Sequence, residues 1–150
     1  MNETLRILMA IAEEAAGPII DIYKQPFDVD FKGPDDPVTA ADRAANALIC
    51  RRLAEAFPDI PVVAEENPQE TWQKRVGAER VFFVDPLDGT REFVARNDQF
   101  VVMIGLVEQE RPSLGVLHSP VTGTTWAGVV GQGALMSRHG IERRLDALSS

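Results

Sequence analysis

Three apolar runs in the second half of the chain are separated by only a few residues, and this spacing constrains the fold most strongly. The runs are FVVMIGLVE (100–108), PSLGVLHSP (112–120) and TTWAGVV (124–130), with QERP and VTG at the junctions. Connections this short join antiparallel strands, because parallel strands need a crossover of a dozen or more residues. The spacing therefore predicts an antiparallel meander.

Two helices are predicted before the meander. Apolar residues recur at helical spacing from Glu3 to Tyr23, and Gly17-Pro18 inside this segment predicts a kink or a break. A second helix is predicted to begin near Thr39, which forms a capping-box pattern with Asp42. Helices followed by strands, without alternation, indicate one α+β domain over residues 1–150, with two N-terminal helices packed on a largely antiparallel sheet.

The segments between the helices and the meander are shorter. PVVA (61–64) and RVFFVD (80–85) predict two strands, and DVDFK (28–32) alternates like a short third one. GPDDP (33–37) and NPQETWQKR (67–75) are polar and predict loops. The last residues, from Gly131 onward, carry no pattern that predicts an element.

Composition narrows the class of partner. The net charge of −8 argues against binding a nucleic-acid polymer, because such binding needs Lys and Arg on the phosphates. The single cysteine, Cys50, excludes an internal disulfide and fits a reducing compartment. No signal-like N-terminus or membrane-spanning apolar run occurs, so we expect a cytoplasmic protein, with peripheral attachment to the inner membrane face as a variant.

Acidic residues follow both strands predicted before the meander. Glu65 and Glu66 come directly after PVVA, while Asp85 and Asp88 lie in VDPLDGT at the end of the next strand. Carboxylates this close raise each other's pKa, a cost that a bound cation removes. If the two strands are neighbours, Glu65, Asp85 and Asp88 meet at one edge of a sheet. Mg²⁺ binds carboxylate and carbonyl oxygens of this kind.

The residues after Asp85 fit the same site. Pro86 restricts the backbone, so the Leu87 carbonyl becomes a candidate ligand. Gly89 permits a tight turn, and a helix predicted to begin at Thr90 would point N–H groups at a phosphate. An ordinary alternative stays open, because Asp-Pro and Asp-Gly are common turn formers and Asp-x-x-Asp-Gly-Thr can be a plain strand-to-helix turn.

The motifs also carry a family resemblance. VDPLDGTREF, with AEE and DPVTAAD upstream, resembles the inositol monophosphatase superfamily, and DPLDGTREFVARNDQF is most similar to its 3'(2'),5'-bisphosphate nucleotidases of the CysQ type. The resemblance implies the first half of a layered αβαβα sugar-phosphatase fold. It implies that the family's C-terminal half is absent, including a Trp-Asp segment, since Trp72 and Trp126 are not followed by Asp.

Roles for particular residues follow from the resemblance. Two or three Mg²⁺ ions would be held by Glu65, Asp85, Leu87 and Asp88. The catalytic residues that prepare the attacking water would be Asp42, Thr90 and Glu65. The substrate would be contacted by Leu87, Asp88, Gly89 and Thr90. Lys32 and Glu66 would be outer contacts.

The expected activity is Mg²⁺-dependent, Li⁺-sensitive hydrolysis of the 3'-phosphate of 3'-phosphoadenosine 5'-phosphate to AMP and phosphate. The substrate is thus a small phosphate ester. Two alternatives remain: an inositol-1-phosphate or sugar-bisphosphate phosphatase, and a non-catalytic module that binds metal or a protein partner. A sheet face built to pack on the absent half would be apolar, which predicts association into a homodimer.

Other conspicuous side chains have ordinary explanations. His118 lies in a predicted strand and is expected to be either a surface residue or a satisfied structural one. Trp72 and Trp126 offer a surface for an adenine ring, but packing is the usual role of tryptophan in strands and loops. Arg91 and Arg96 are expected to be solvent-facing charges, with phosphate contact as the alternative.

Overall fold

A computed structural model of the chain describes residues 2–33 and 36–145. Helices and strands are interspersed as far as Val94, and strands alone follow from Val101 onward. In chain order the elements are α1 (Glu3–Tyr23), β1 (Val29–Gly33), β2 (Asp36–Thr39), α2 (Ala40–Ala56), β3 (Val62–Ala64), a 3₁₀ helix (Gln69–Arg75), β4 (Arg80–Asp88), α3 (Thr90–Val94), β5 (Val101–Glu108), β6 (Arg111–Ser119), β7 (Thr124–Val129), β8 (Gly133–Arg138) and β9 (Ile141–Leu145).

The main sheet has the order β3-β4-β5-β6-β7-β8-β9. The pair β3 and β4 is parallel, and each following pair along the sheet is antiparallel. The predicted meander and the α+β class with helices on a largely antiparallel sheet are confirmed. The short helix α3 is a third helix beyond the two N-terminal ones.

Helices α1 and α2 pack against each other and cover one face of the sheet. On that face the strands contribute alternate residues, among them Phe82, Ile104, Val116 and Ala127, which are all buried. Burying an aromatic or aliphatic side chain of this size contributes roughly 1.5–3 kcal/mol relative to exposure. The helices are therefore held in place by the sheet, and their positions follow its register.

The interruption expected at Gly17-Pro18 does not break α1, which runs without a gap to Tyr23. Proline inside a helix removes one hydrogen bond and costs about 3 kcal/mol. Ala15 and Ile19, on either side of Pro18, are fully buried in the core. Tertiary packing therefore outweighs the local preference for a break, and of the two predicted outcomes only a kink stays a prediction.

Three further expectations need correction. Asp36 and Pro37 are not in a loop but in β2, which pairs antiparallel with β1 in a separate two-stranded sheet. An edge strand tolerates proline because one of its sides needs no donor. The segment 67–75 is largely a 3₁₀ helix, anchored by the Trp72 Nε1 hydrogen bond to the Ala64 carbonyl at 3.1 Å. Strands β8 and β9 occupy the region that carried no pattern.

The sheet face opposite the helices is open. Phe83, Met103 and Leu117 are 39%, 37% and 38% exposed on it, respectively. Paired positions on β5, β6 and β7 are glycines, namely Gly105, Gly115 and Gly128. Together with neighbouring side chains they line a shallow apolar depression of about 610 Å³. The expected apolar face is present; we call it the open face.

A search of the described residues for a helix with the length and hydropathy of a membrane span finds none.

Candidate metal and phosphate site

The parallel pair β3 and β4 builds one edge of the site. Ala64 lies opposite Val84, and the Glu65 amide donates to the Val84 carbonyl at 3.0 Å. The turn that begins at Glu65 therefore lies beside Asp85, the residue after Val84. The strands that carry the two acidic segments are neighbours, which is the condition on which their meeting at one edge depended.

Asp85 is a partly buried carboxylate in a negative environment. Burial, the nearby charges of Asp88 and Glu65 and a smaller effect from Asp42 together raise the pKa of Asp85 to about 6. The Leu87 amide, which donates to Asp85 Oδ1 at 3.3 Å, lowers the pKa but does not offset the repulsion. The four acids are thus close enough to repel one another.

Asp42 joins the cap of α2 to the turn after β4. Asp42 Oδ2 accepts hydrogen bonds from the Thr39 amide at 2.8 Å and from Thr39 Oγ1 at 2.6 Å. Its other oxygen, Oδ1, accepts from Thr90 Oγ1 at 2.8 Å. The capping box predicted at Thr39 is present, and the same carboxylate reaches Thr90. Capping and site formation are therefore combined in one buried residue.

The turn between β4 and α3 depends on Gly89. Its φ of +98° belongs to the left-handed region that favours glycine, and a Cβ there would lie 2.8 Å from the Gln99 carbonyl oxygen. Helix α3 then begins at Thr90, as predicted. Thr90 Oγ1 also lies 3.2 Å from the Leu87 carbonyl oxygen. The reversal at Gly89 thus places the Thr90 hydroxyl between Asp42 and the carbonyl of Leu87.

Gly89→Ala is expected to destabilise the chain by about 2–4 kcal/mol, because left-handed backbone strain adds to a collision with the Gln99 carbonyl. Gly77→Ala is the matched control, since Gly77 also has a positive φ of +77° but open space around it. The control should cost only about 1 kcal/mol. Urea unfolding of both variants measures the difference, and equal losses would contradict the steric argument.

The donor set fits a hard divalent cation. Carboxylates of Glu65, Asp85 and Asp88, with the Leu87 carbonyl, are the oxygen donors that Mg²⁺ prefers, and their mutual repulsion is what a cation would relieve. Within residues 2–33 and 36–145, no three acidic, histidine or cysteine side chains lie within ligating reach of one point as they stand. The carboxylates would therefore draw closer together on binding an ion.

Several other candidates lie outside this site. Arg96 is engaged by the end of α1: its guanidinium donates to the carbonyls of Tyr23 and Gln25 and lies over the Phe27 ring. His118 is buried and bonded to Thr125 Oγ1 at 2.7 Å, and burial lowers its pKa. The side chain of Lys32 lies outside the described part of the chain.

Two residues near the site escaped the sequence analysis. Asn46 and Asn67 are hydrogen-bonded to each other at 2.7 Å and join α2 to the turn that carries Glu65. The signal available in the sequence was Asn46, a polar residue four positions after Asp42. It lies on the same face of helix α2, whose other buried residues are mostly apolar.

The chain is similar to known proteins over most of its length. The model described as "Inositol monophosphatase family" matches residues 1–147. The 3'(2'),5'-bisphosphate nucleotidase CysQ of Salmonella typhimurium is 45% identical over 113 residues, which cover 74% of this chain and 46% of that protein.

Two solved structures have the same fold. The crystal structure of CysQ from Bacteroides thetaiotaomicron, described as a bacterial member of the inositol monophosphatase family, aligns with a TM-score of 0.75 at 34% identity over 90% of this chain and 49% of its own. Extragenic suppressor protein suhB from Bartonella henselae aligns with a TM-score of 0.81 at 27% identity over 91% of this chain and 52% of its own. The chain thus spans about half the length of the relatives it matches.

Proposed function

The chain belongs to the inositol monophosphatase family, a family of metal-dependent phosphatases, and on that premise we propose that it is the N-terminal portion of a 3'(2'),5'-bisphosphate nucleotidase. The substrate would be 3'-phosphoadenosine 5'-phosphate, hydrolysed at its 3'-phosphate. One observation carries the proposal: Thr90 is hydrogen-bonded to the buried carboxylate of Asp42 beside an edge of mutually repelling carboxylates. The 45% identity to the Salmonella nucleotidase favours this substrate.

The residues that would hold Mg²⁺ are Glu65, Asp85, Asp88 and the Leu87 carbonyl. A divalent cation in such a site lowers the pKa of water and neutralises charge that develops on the phosphoryl oxygens. Glu65 would also assist catalysis through its place beside the water, and the backbone from Leu87 to Thr90 would contact the phosphate.

The chain's own contribution to catalysis is orientation of the attacking water. The Thr90 hydroxyl donates a hydrogen bond to Asp42 Oδ1, so the lone pairs of its oxygen are left to accept a hydrogen bond from a water molecule. Asp42 is fixed in turn by Thr39, which keeps the pair rigid. The water oxygen forms a bond to phosphorus while the bond to the 3'-oxygen breaks. Overall, the water supplies the new phosphate oxygen and the proton of the product 3'-hydroxyl.

The open face fits a portion rather than a whole catalytic domain. Phe83, Met103 and Leu117 would be covered by the additional length that the relatives have, which would also complete the leaving-group pocket. In the chain alone, the same face would pair with a second copy and form a homodimer.

Leu117→Gln is expected to weaken self-association of the chain about tenfold or more, because it removes an apolar side chain from the centre of the open face in both copies. Ile141→Gln is the control, since Ile141 is 76% exposed on β9 and does not line the depression. Sedimentation velocity across a concentration series measures the effect. Equal behaviour of the two variants would assign any dimer to another surface.

The activity itself is tested with two proteins. One is the chain alone, and the other is a chimaera that joins it to the C-terminal half of the Salmonella nucleotidase. Phosphate release is followed with 3'-phosphoadenosine 5'-phosphate and, in parallel, with inositol 1-phosphate. We expect the chimaera to release phosphate from the nucleotide, with loss of activity in EDTA and inhibition by Li⁺. Because the Salmonella half completes the leaving-group pocket of the chimaera, the preference between the two substrates is read from the chain alone.

The other outcomes decide between the alternatives. Preference for inositol 1-phosphate in both proteins would favour an inositol phosphatase. Mg²⁺ binding without turnover in either protein would favour a non-catalytic module. Activity of the chimaera that survives Asp85→Asn would refute the metal role given to this carboxylate.

A further inference from the structure

We propose that Asn46 and Asn67 are positioning residues that tie the turn carrying Glu65 and Glu66 to helix α2, and so fix this turn relative to Asp42. The inference rests on the proposed function, because Glu65 is there a metal ligand. It assigns a role to two amides that contact neither the ion nor the substrate.

One face of α2 reaches both halves of the site. Asp42, Asn46 and Cys50 are four residues apart, so their side chains lie in one row along the helix. At the start of the row, Asp42 accepts from Thr90 in the turn after β4. One helical turn later, Asn46 Nδ2 donates to Asn67 Oδ1 at 2.7 Å, in the turn after β3. Helix α2 therefore sets the spacing between the two turns.

The tie is closed into a ring of three side chains. Cys50 Sγ donates to Asn46 Oδ1 at 3.7 Å, and Asn67 Nδ2 donates to Cys50 Sγ at 3.6 Å. Each donor thus faces an acceptor, and flipping either amide would place like groups together. Asn46 is only 8% exposed, so an amide left without its partner there is costly. The ring therefore couples the orientations of the two asparagines, so that neither amide can flip alone.

The backbone hydrogen bonds given for this turn in the described residues run to the sheet and not to helix α2. The Glu65 amide donates to Val84, and the Asn67 amide donates to Ala64 at 3.1 Å. The Asn46–Asn67 bond adds the connection to α2. Because Glu65 and Asp85 carry like charges at adjacent strand ends, repulsion favours movement of the turn away from the site when the tie is lost.

The first test measures amide hydrogen exchange in the metal-free chain by NMR. Asn67→Leu removes the acceptor for Asn46 with little change in shape, whereas Asn67→Asp keeps an acceptor oxygen. We expect exchange of the Glu65 amide to accelerate about tenfold or more in Asn67→Leu, relative to amides of β5 and β6, and to stay within about threefold in Asn67→Asp.

Thr125→Val is the matched control for general destabilisation. Thr125 is a fully buried hydroxyl in a hydrogen-bonded network with His118 and Glu13, on a strand that is not adjacent to β4. Its loss should lower global stability without a selective change at Glu65. If Asn67→Leu and Thr125→Val affect the Glu65 amide alike, the inference is wrong, whatever the metal does.

The second test titrates the same variants with Mg²⁺ by calorimetry. We expect about tenfold weaker binding in Asn67→Leu, near-normal binding in Asn67→Asp and unchanged binding in Thr125→Val. Faster exchange with unaltered Mg²⁺ affinity would reduce the tie to a purely structural contact and overturn the positioning role. A third outcome is that Asn67→Leu selectively accelerates exchange of the Glu65 amide while the wild-type chain binds no Mg²⁺. This outcome would support the tie and refute the metal site of the proposed function.

Discussion

Asp85→Asn is expected to stabilise the metal-free chain at pH 7.5 and to abolish its response to Mg²⁺. The pKa of Asp85 is raised from 3.8 to about 6 by burial and by the charges of Asp88 and Glu65. The folded state therefore binds a proton on Asp85 more tightly than the unfolded state does, so the contribution of this group to stability is complete below pH 4 and is lost as pH rises through 6. Asparagine does not titrate, so the variant avoids this loss in the free energy of unfolding. We set the loss at about 1 kcal/mol after solvent screening.

The measurement is urea unfolding at pH 5 and pH 7.5, in EDTA and in Mg²⁺. The wild-type chain should lose stability between these pH values in EDTA and regain it with Mg²⁺, since an ion that binds the folded state stabilises it. The variant should show neither change. Asp59→Asn, an exposed acid in the loop after α2, is the control and should behave like wild type. A variant that still responds to Mg²⁺ would remove Asp85 from the ligand set.

Asp42→Asn is expected to lower phosphate release by the chimaera about 10²–10³-fold, while the free energy of unfolding falls by about 1 kcal/mol. The amide keeps one oxygen for the Thr39 amide, so the helix cap largely survives. The NH₂ group of the new amide then faces Thr90 in place of a carboxylate oxygen. The donor and the acceptor of the 2.8 Å hydrogen bond are thereby exchanged. Thr90 must then accept from residue 42, which occupies one of its two lone pairs and leaves its own hydroxyl hydrogen without the acceptor that fixes its orientation toward the water.

Phosphate-release assays and urea unfolding of the same preparation separate the two effects. Thr90→Val provides the comparison, because it removes the hydroxyl and leaves the Asp42 cap in place. Both variants should lose activity to a similar degree. A fall in activity that merely follows stability would make Asp42 a capping residue alone.

Local chemistry accounts for the features that were predicted from sequence. The capping box at Thr39 and Asp42 spans three residues and needs no tertiary context, so the start of α2 was predictable. The acids at the ends of β3 and β4 were expected to meet only if the two strands are neighbours, a condition that the sequence left open. The reversal at Gly89 followed from the Asp-Gly-Thr order. Each of these signals comes from residues that are close together in the sequence.

The features that were missed depend on distant partners. Pro18 lies inside a continuous helix because Ala15 and Ile19 are buried against the sheet, and no local rule contains that information. Strand β8 forms through its register with β7, where Trp126 lies opposite Met136. The bond between Asn46 and Asn67 joins residues that belong to no motif. Each of these is specified by packing and not by spacing in the sequence.

The connectivity of the sheet also has a kinetic consequence. Strands β5 to β9 pair with their sequence neighbours, whereas the site joins residues as distant as Asp42 and Thr90, 48 positions apart. Contacts between near neighbours lose less chain entropy on closing, so they form early on the folding pathway. The hairpins would then assemble first and the carboxylate edge last. Substitutions at that edge would change the unfolding rate and leave the folding rate nearly unchanged.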